Sequence, residues 1–267
     1  MKYFDAHCHI QFPPYDEDRE ALITSMKEGG VGGLVVGVDR DSSEKAITLS
    51  DGKNLFASAG LHPNDTPDEV FDIEAYRQLA MHPHVVAVGE CGLDYFRPDE
   101  PEAEKARQKE VFQKHIALAC EVRKPLMIHA RPSKGSMDAY EDAYLLLKDA
   151  KAQYGDALMG NMHFFVGDVA IAKKFLELDF TFSYTAILTF ARDYDEVVRY
   201  IPLTHILTET DAPYASPKEE RGKRNAPPAV MRVVDMIASI RNEEREVVRQ
   251  TLLENAKRVF RLPETLG

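Results

Sequence analysis

Six side chains able to ligate a metal fall at the ends of five separate β-prone runs, and this placement constrains the fold more than any other feature. Eight short runs read as strands: Lys2–Ala6, Gly33–Val38, Leu55–Ala59, Val85–Gly89, Leu126–His129, Ala157–His163, Phe180–Ser183 and His205–Glu209. Most are continuous apolar or β-branched stretches, as strands buried on both faces require. Helical patterns separate them. The clearest is Ala103–Val122, where Phe112, Ile116, Ala119 and Cys120 recur at helical spacing. Asp138–Gln153 and Asp168–Leu178 read similarly, each opened by an Asp of capping type, and Ala229–Phe260 reads as two helices divided near Arg241-Asn242. Such alternation predicts a parallel α/β sheet, either open or closed as a (β/α)8 TIM barrel.

The polar residues choose between the two. His7 and His9 close the first run, Glu90 the fourth, His129 the fifth, His163 the sixth and Asp211 follows the eighth. Residues two apart on a strand share a face, so His7 and His9 converge. A closed barrel gathers the C-terminal strand ends into one rim, where active sites of this architecture lie. An open sheet would scatter them. The expectation is therefore a TIM barrel, one domain over residues 1–267, with a metal site at the C-terminal rim.

Composition adds exclusions. With 267 residues and 44% hydrophobic side chains, the chain can bury a large core, and no apolar run approaches the roughly 20 residues that a membrane span needs. No secretory leader is visible, and three cysteines suggest no disulfide framework. A cytoplasmic protein without a membrane or obligate protein partner is expected. The net charge of −11 argues against holding nucleic acid through a general field, so attraction for a polyanion must be local.

Long motifs then carry a resemblance. They are Asp5-Ala6-His7-Cys8-His9, Gly60-Leu61-His62-Pro63, Gly89-Glu90-Cys91-Gly92-Leu93-Asp94-Tyr95, Pro125-Leu126-Met127-Ile128-His129-Ala130-Arg131, His163-Phe164-Phe165, Thr208-Glu209-Thr210-Asp211-Ala212-Pro213-Tyr214 and Arg221-Gly222-Lys223-Arg224-Asn225. In this order they resemble the TatD family of metal-dependent deoxyribonucleases, a branch of the amidohydrolase superfamily. The resemblance implies two divalent metal ions (Mg, Mn or Zn), one held by His7, His9, Glu90 and Asp211, the other by Glu90, His129 and His163, with Glu90 bridging. It also implies cleavage of phosphodiester bonds in DNA, from single-stranded or frayed 3′ ends. Histidine-rich ligation favours a transition metal in the purified protein, with Mg or Mn supporting activity.

Two carboxylates set against two divalent ions leave such a site net positive inside an acidic protein, which supplies the local attraction. Catalytic roles fall to Glu90 and to Asp211, the latter as ligand and proton acceptor. His62, Arg131 and Arg224 are candidates for binding substrate, and Glu209 for orienting a ligating imidazole. Cys8, Cys91 and Cys120 read as core residues, and His82, His84, His115 and His205 have no ligand-like placement.

The chain departs from the family pattern at Asn64, where His often stands, and at Phe164, where Cys is usual. It also departs in the long stretch 132–160, whose Ser133-Lys134-Gly135-Ser136 reads as a flexible rim loop. These bear on specificity. Two alternatives are hydrolysis of another ester or amide at the same centre, and a binding protein whose metals only staple the barrel. Open coordination positions at a rim argue against the second.

Overall fold

In the computed structural model, which describes residues 1–64, 69–96 and 102–263, eight strands form one sheet in sequential order. They are β1 (Tyr3–Cys8), β2 (Val31–Val36), β3 (Leu55–Ala59), β4 (Val85–Asp94), β5 (Leu126–Arg131), β6 (Gly160–Met162), β7 (Thr181–Tyr184) and β8 (Ile206–Thr208). All paired neighbours are parallel. Closure comes just beyond β8. Asp211 N–H donates to His7 O at 2.9 Å, His9 N–H donates to Ala212 O at 2.7 Å, and Cys8 bridges Ala212 in parallel. The buried Asp5 carboxylate fastens the same seam, accepting Thr210 N–H at 2.8 Å and the Thr210 hydroxyl at 2.5 Å. The architecture is the expected (β/α)8 barrel.

Helices α1 (Arg19–Gly29), α2 (Arg40–Leu49), α3 (Ile73–Ala80), α4 (Glu102–Val122), α5 (Asp138–Tyr154), α6 (Val169–Leu176), α7 (Asp195–Tyr200), α8 (Val230–Arg241) and α9 (Arg245–Phe260) complete the fold. The expected helices are present within a few residues of their bounds. Asp168 caps α6 by accepting Ile171 N–H at 2.9 Å. Asp138 differs: it is the first residue of α5 rather than its cap, and its carboxylate accepts Ser133 N–H at 2.9 Å and the Ser133 hydroxyl at 2.7 Å. Those bonds tie down the segment read as a flexible loop, and most of the long stretch is α5 itself.

One end of the barrel is plugged. Phe4, Leu34, Val36, Phe56, Ala87, Met127 and Leu207 form an apolar interior on which Leu253, Ala256 and Phe260 of α9 sit. The Phe4 and Phe260 rings lie 5.9 Å apart. Packing of this kind contributes stability in proportion to the apolar area removed from water, about 25 cal/mol per Å2. Above this layer the interior turns polar. Thr181 Oγ1 reaches Asn161 Oδ1 (3.0 Å), Asn161 Nδ2 reaches Ser183 Oγ (2.7 Å), and Ser183 Oγ donates to Glu209 (2.5 Å). This ladder climbs to the opposite mouth.

Candidate metal centre

Irregular pairing aims the polar side chains of the first and fourth strands. The β1–β2 register shifts between Asp5 and Cys8, and the β4–β5 register shifts between Val88 and Cys91. His7 and Glu90 lie within those irregularities, where an extra residue re-aims a side chain. Strand β4 therefore runs on through Glu90 to Asp94, longer than the run Val85–Gly89 read from the sequence. Glycine is required beside Glu90: Gly89 has φ +141°, and a Cβ there would overlap the Met127 carbonyl of β5. Past β6 and β8, Phe164 (φ +46°) and Asp211 (φ +53°) adopt left-handed backbone conformations. Strained non-glycine residues of this kind cluster at functional sites.

The six expected ligands meet. Glu90 is buried at their centre, and its two oxygens face different partners. Oε2 lies 3.3 Å from His7 Nε2 and 3.8 Å from His9 Nε2, and Asp211 Oδ1 is 3.8 and 3.5 Å from the same two nitrogens. Oε1 lies 3.0 Å from both His129 Nδ1 and His163 Nε2, with His62 Nε2 at 3.5 Å. His7 and His9 also bring their Nε2 atoms within 3.0 Å of each other. His9 Nδ1 is 2.9 Å from Val36 O, which can only accept, so the proton sits on Nδ1 and the Nε2 lone pair faces inward. On the far side of His163, Nδ1 lies 3.3 Å from Glu209 Oε1, and the buried Glu209 also accepts Phe164 N–H at 2.6 Å. Such outer carboxylates orient a metal-binding imidazole.

Electrostatics fit a cation. Burial opposes charge on Glu90, yet the imidazoles of His163, His62 and His7 outweigh it and hold the carboxyl well below its usual range. Burial also opposes protonation of His129, but Asp94 and Glu90 together raise it to about 9. The Glu90 and Glu209 carboxylates likewise lift His163 well above an ordinary histidine, against its burial. Burial and the neighbouring His163 depress His7 to about 3. Protons thus gather beside Glu90 on the His129–His163 side, and are kept off His7. Sets His7–His9–Asp211 and His7–Glu90–His163 each bring one ligand atom per residue within 4.8 Å of the others. With lone pairs convergent on both sides of one carboxylate, these side chains could hold a divalent cation.

Comparison with known proteins gives the family. The family model for TatD related DNase matches residues 4–261. The uncharacterized metal-dependent hydrolase YabD of Bacillus subtilis is 38% identical over 264 residues, 97% of this chain and 99% of its own length. Its counterpart YcfH of Escherichia coli K12 is 36% identical over 211 residues, 78% of this chain and 75% of its own. This chain belongs to the TatD family. A TatD homologue of known structure, YjjV from Escherichia coli K12, superposes with a TM-score of 0.87 at 28% identity, covering 98% of this chain and 99% of its own. A TatD family hydrolase of Entamoeba histolytica, at 19% identity and a TM-score of 0.80, shares the fold over 96% of this chain and 97% of its own.

In this TatD protein the centre opens into a cavity of about 590 Å3. His62 and Arg131 line it, and so do Asn64, Asp94, Phe96, Phe164 and Tyr214. The Arg131 guanidinium stacks 3.8 Å over the Phe96 ring. Arg224 is not among the lining residues. Its guanidinium forks onto Asp18 at 2.7 and 2.5 Å, donates to Pro14 O at 2.6 Å and lies 4.5 Å over Tyr15, so it clamps the loop after β8 to the start of α1. In this position Arg224 forms a structural clamp at the surface, beside the mouth rather than in the cavity wall. Tyr95 also turns away, its hydroxyl on Asp142 at 3.1 Å.

The three cysteines are buried and free, as expected. Phe96 and Tyr214 as pocket aromatics, and Asp94 beside His129, were not legible beforehand. Their motifs were visible, but facing directions in loops are not encoded by periodicity. No helix among the described residues is long and apolar enough to cross a membrane.

Proposed function

We propose that this TatD protein is a metal-dependent hydrolase of phosphodiester bonds, acting on the unpaired 3′ end of DNA. The observation that carries the reading is the division of Glu90, one oxygen toward His7 and His9 and the other toward His129 and His163. A carboxylate divided in this way would suit two cations, one held with His7, His9 and Asp211 and the other with His129 and His163. Divalent cations held there supply Lewis acidity, lowering the pKa of water from about 15.7 towards 7 and neutralising charge on phosphate oxygens.

The protein's own groups do the rest. Asp211 stands at the open edge of the cluster, its side chain 13% exposed where that of Glu90 is 5% exposed, and so is the carboxylate able to meet an incoming water and take its proton. His62 accepts Asn64 N–H on Nδ1 at 3.2 Å, which puts its own proton on Nε2. It thus offers a donor, facing the cluster, for a phosphate oxygen. Arg131, already stacked on Phe96, presents its guanidinium at the rim, where a second phosphate of a chain can pair with it. Tyr214 and Phe96 are 56% and 44% exposed at the same mouth, a chemistry suited to stacking an unpaired base.

The test is to load the protein with Mn or Mg and incubate it with single-stranded DNA labelled at either end, beside duplex DNA and a panel of carboxylic esters and amides. Stepwise loss from the 3′ end, abolished in Glu90→Gln, is the expected result. Turnover of amides or carboxylic esters with DNA left intact would reassign the bond.

A further inference from the structure

Asp94 is the charged residue of the pocket that the hydrolytic reading leaves without a task. Its Oδ2 lies 3.2 Å from His129 Nε2, and its Oδ1 accepts Phe96 N–H at 3.1 Å. Its main chain is clamped as well. Asp94 N–H donates to Gln108 Oε1 at 2.9 Å, and Asp94 O accepts Gln108 Nε2 at 3.2 Å. Gln108 is 1% exposed on α4 and also holds Asn64 Oδ1 at 3.0 Å. The carboxylate is thus set from a helix, with its strand and the His62 loop tied to the same glutamine.

Two roles suit a carboxylate so placed. With His62 and His129 it makes a third set of possible cation ligands within 4.8 Å. Alternatively, it accepts a proton from His129 and sets the tautomer of that ring. Proton positions separate the two. His62 Nδ1 accepts a backbone N–H, so its Nε2 carries a proton and has no lone pair to give. His129 Nδ1 lies 3.0 Å from Glu90 Oε1, and to ligate beside Glu90 it must be unprotonated. The neutral ring then carries its proton on Nε2, the atom facing Asp94. A cation at Asp94 would need His129 as a bridging imidazolate.

We infer that Asp94 is a positioning residue: it accepts the Nε2 proton of His129 and so holds the Nδ1 lone pair toward Glu90, raising cation affinity on that side of the centre without touching the cation. The inference rests on the two-cation reading of the site. It predicts a split between affinity and capacity. Chelator-stripped wild type, Asp94→Ala and Asp94→Asn are titrated with Zn or Mn, and bound metal is counted by elemental analysis at saturation.

Asp94→Ala should keep the wild-type number of ions but bind one of them about 10- to 100-fold more weakly. Asp94→Asn keeps an oxygen able to accept the Nε2 proton and should recover much of that affinity. Loss of one equivalent at saturation in both variants would make Asp94 a ligand and overturn the inference, as would an unchanged affinity in Asp94→Ala. A wild type that takes up no divalent cation would instead refute the underlying reading, and an inactive protein that still shows the split would leave the inference standing.

Discussion

Acid should destabilise this protein through one histidine that lies outside the metal centre. His115 on α4 is fully buried; its Nε2 accepts Leu61 N–H at 3.0 Å and its Nδ1 donates to Val111 O at 2.9 Å. The Phe71 ring stands 4.0 Å from it. Burial depresses its pKa from 6.5 to about 4, only partly offset by the Val111 carbonyl. Protonation would also place a second N–H against the Leu61 donor. The sign follows: the unfolded chain takes up a proton below about 6.5 and the folded chain does not until about 4, so stability present at neutral pH is lost as pH falls through that window.

Between pH 7.5 and 4 this single group removes about 3 kcal/mol, a shift of about two and a half pH units at about 1.4 kcal/mol each, less the part regained because the folded state is half protonated at pH 4. For a chain of this size that corresponds to roughly 6–12 °C in Tm. Other groups titrate too, so the comparison is His115→Gln. Its amide oxygen can accept Leu61 N–H and does not ionise. Differential scanning calorimetry of both proteins on stripped samples from pH 7.5 to 4 should show wild type losing about 3 kcal/mol more than the variant. Parallel pH profiles would refute the reasoning. Because Leu61 precedes His62, the variant also tests whether this anchor sets the position of the pocket histidine.

Asp211→Asn should lower turnover by about 100- to 10,000-fold while leaving most metal uptake intact, as measured by steady-state kinetics beside elemental analysis; full activity would remove its role as proton acceptor. Metal affinity should rise with pH towards about 9, because His129 and His163 hold protons in the empty centre and must release them to ligate. Calorimetric titration with Zn in buffers of different ionisation enthalpy measures that release directly. Glu209→Ala strips Phe164 N–H and the Ser183 hydroxyl of their acceptor and should cost about 3–5 kcal/mol in denaturant unfolding, in the range expected for breaking a buried charged network. Phe96→Ala removes the ring under Arg131 and should raise KM for single-stranded DNA by about tenfold, a loss of roughly 1–2 kcal/mol, with kcat little changed.

What was legible beforehand and what was not divides along a physical line. The strands show as apolar runs because a barrel wall is buried on both faces, and six candidate ligands at strand ends point to closure because no open sheet brings the first, fifth and eighth strands together. Aim within a strand is another matter. Alternation places His7 and His9 on one side of β1, but it does not foretell that the ladder slips between Asp5 and Cys8, or that β4 continues through Glu90 behind Gly89. Those slips depend on pairing with β2 and β5, partners distant in sequence.

The same limit explains Arg224 and Asp94. A basic run after the last strand reads as a surface for a polyanion, yet its guanidinium is neutralised by Asp18, about two hundred residues away along the chain. Asp94 sits four residues past Glu90 in the same motif, and only the Gln108 clamp from α4 turns its carboxylate onto His129. In both cases the residue type is local information and the partner is not. A charged side chain acquires its role from the opposite group that folding brings to it, so the ligands that answer one another across the mouth could be read together, whereas the groups that hold them had to be seen.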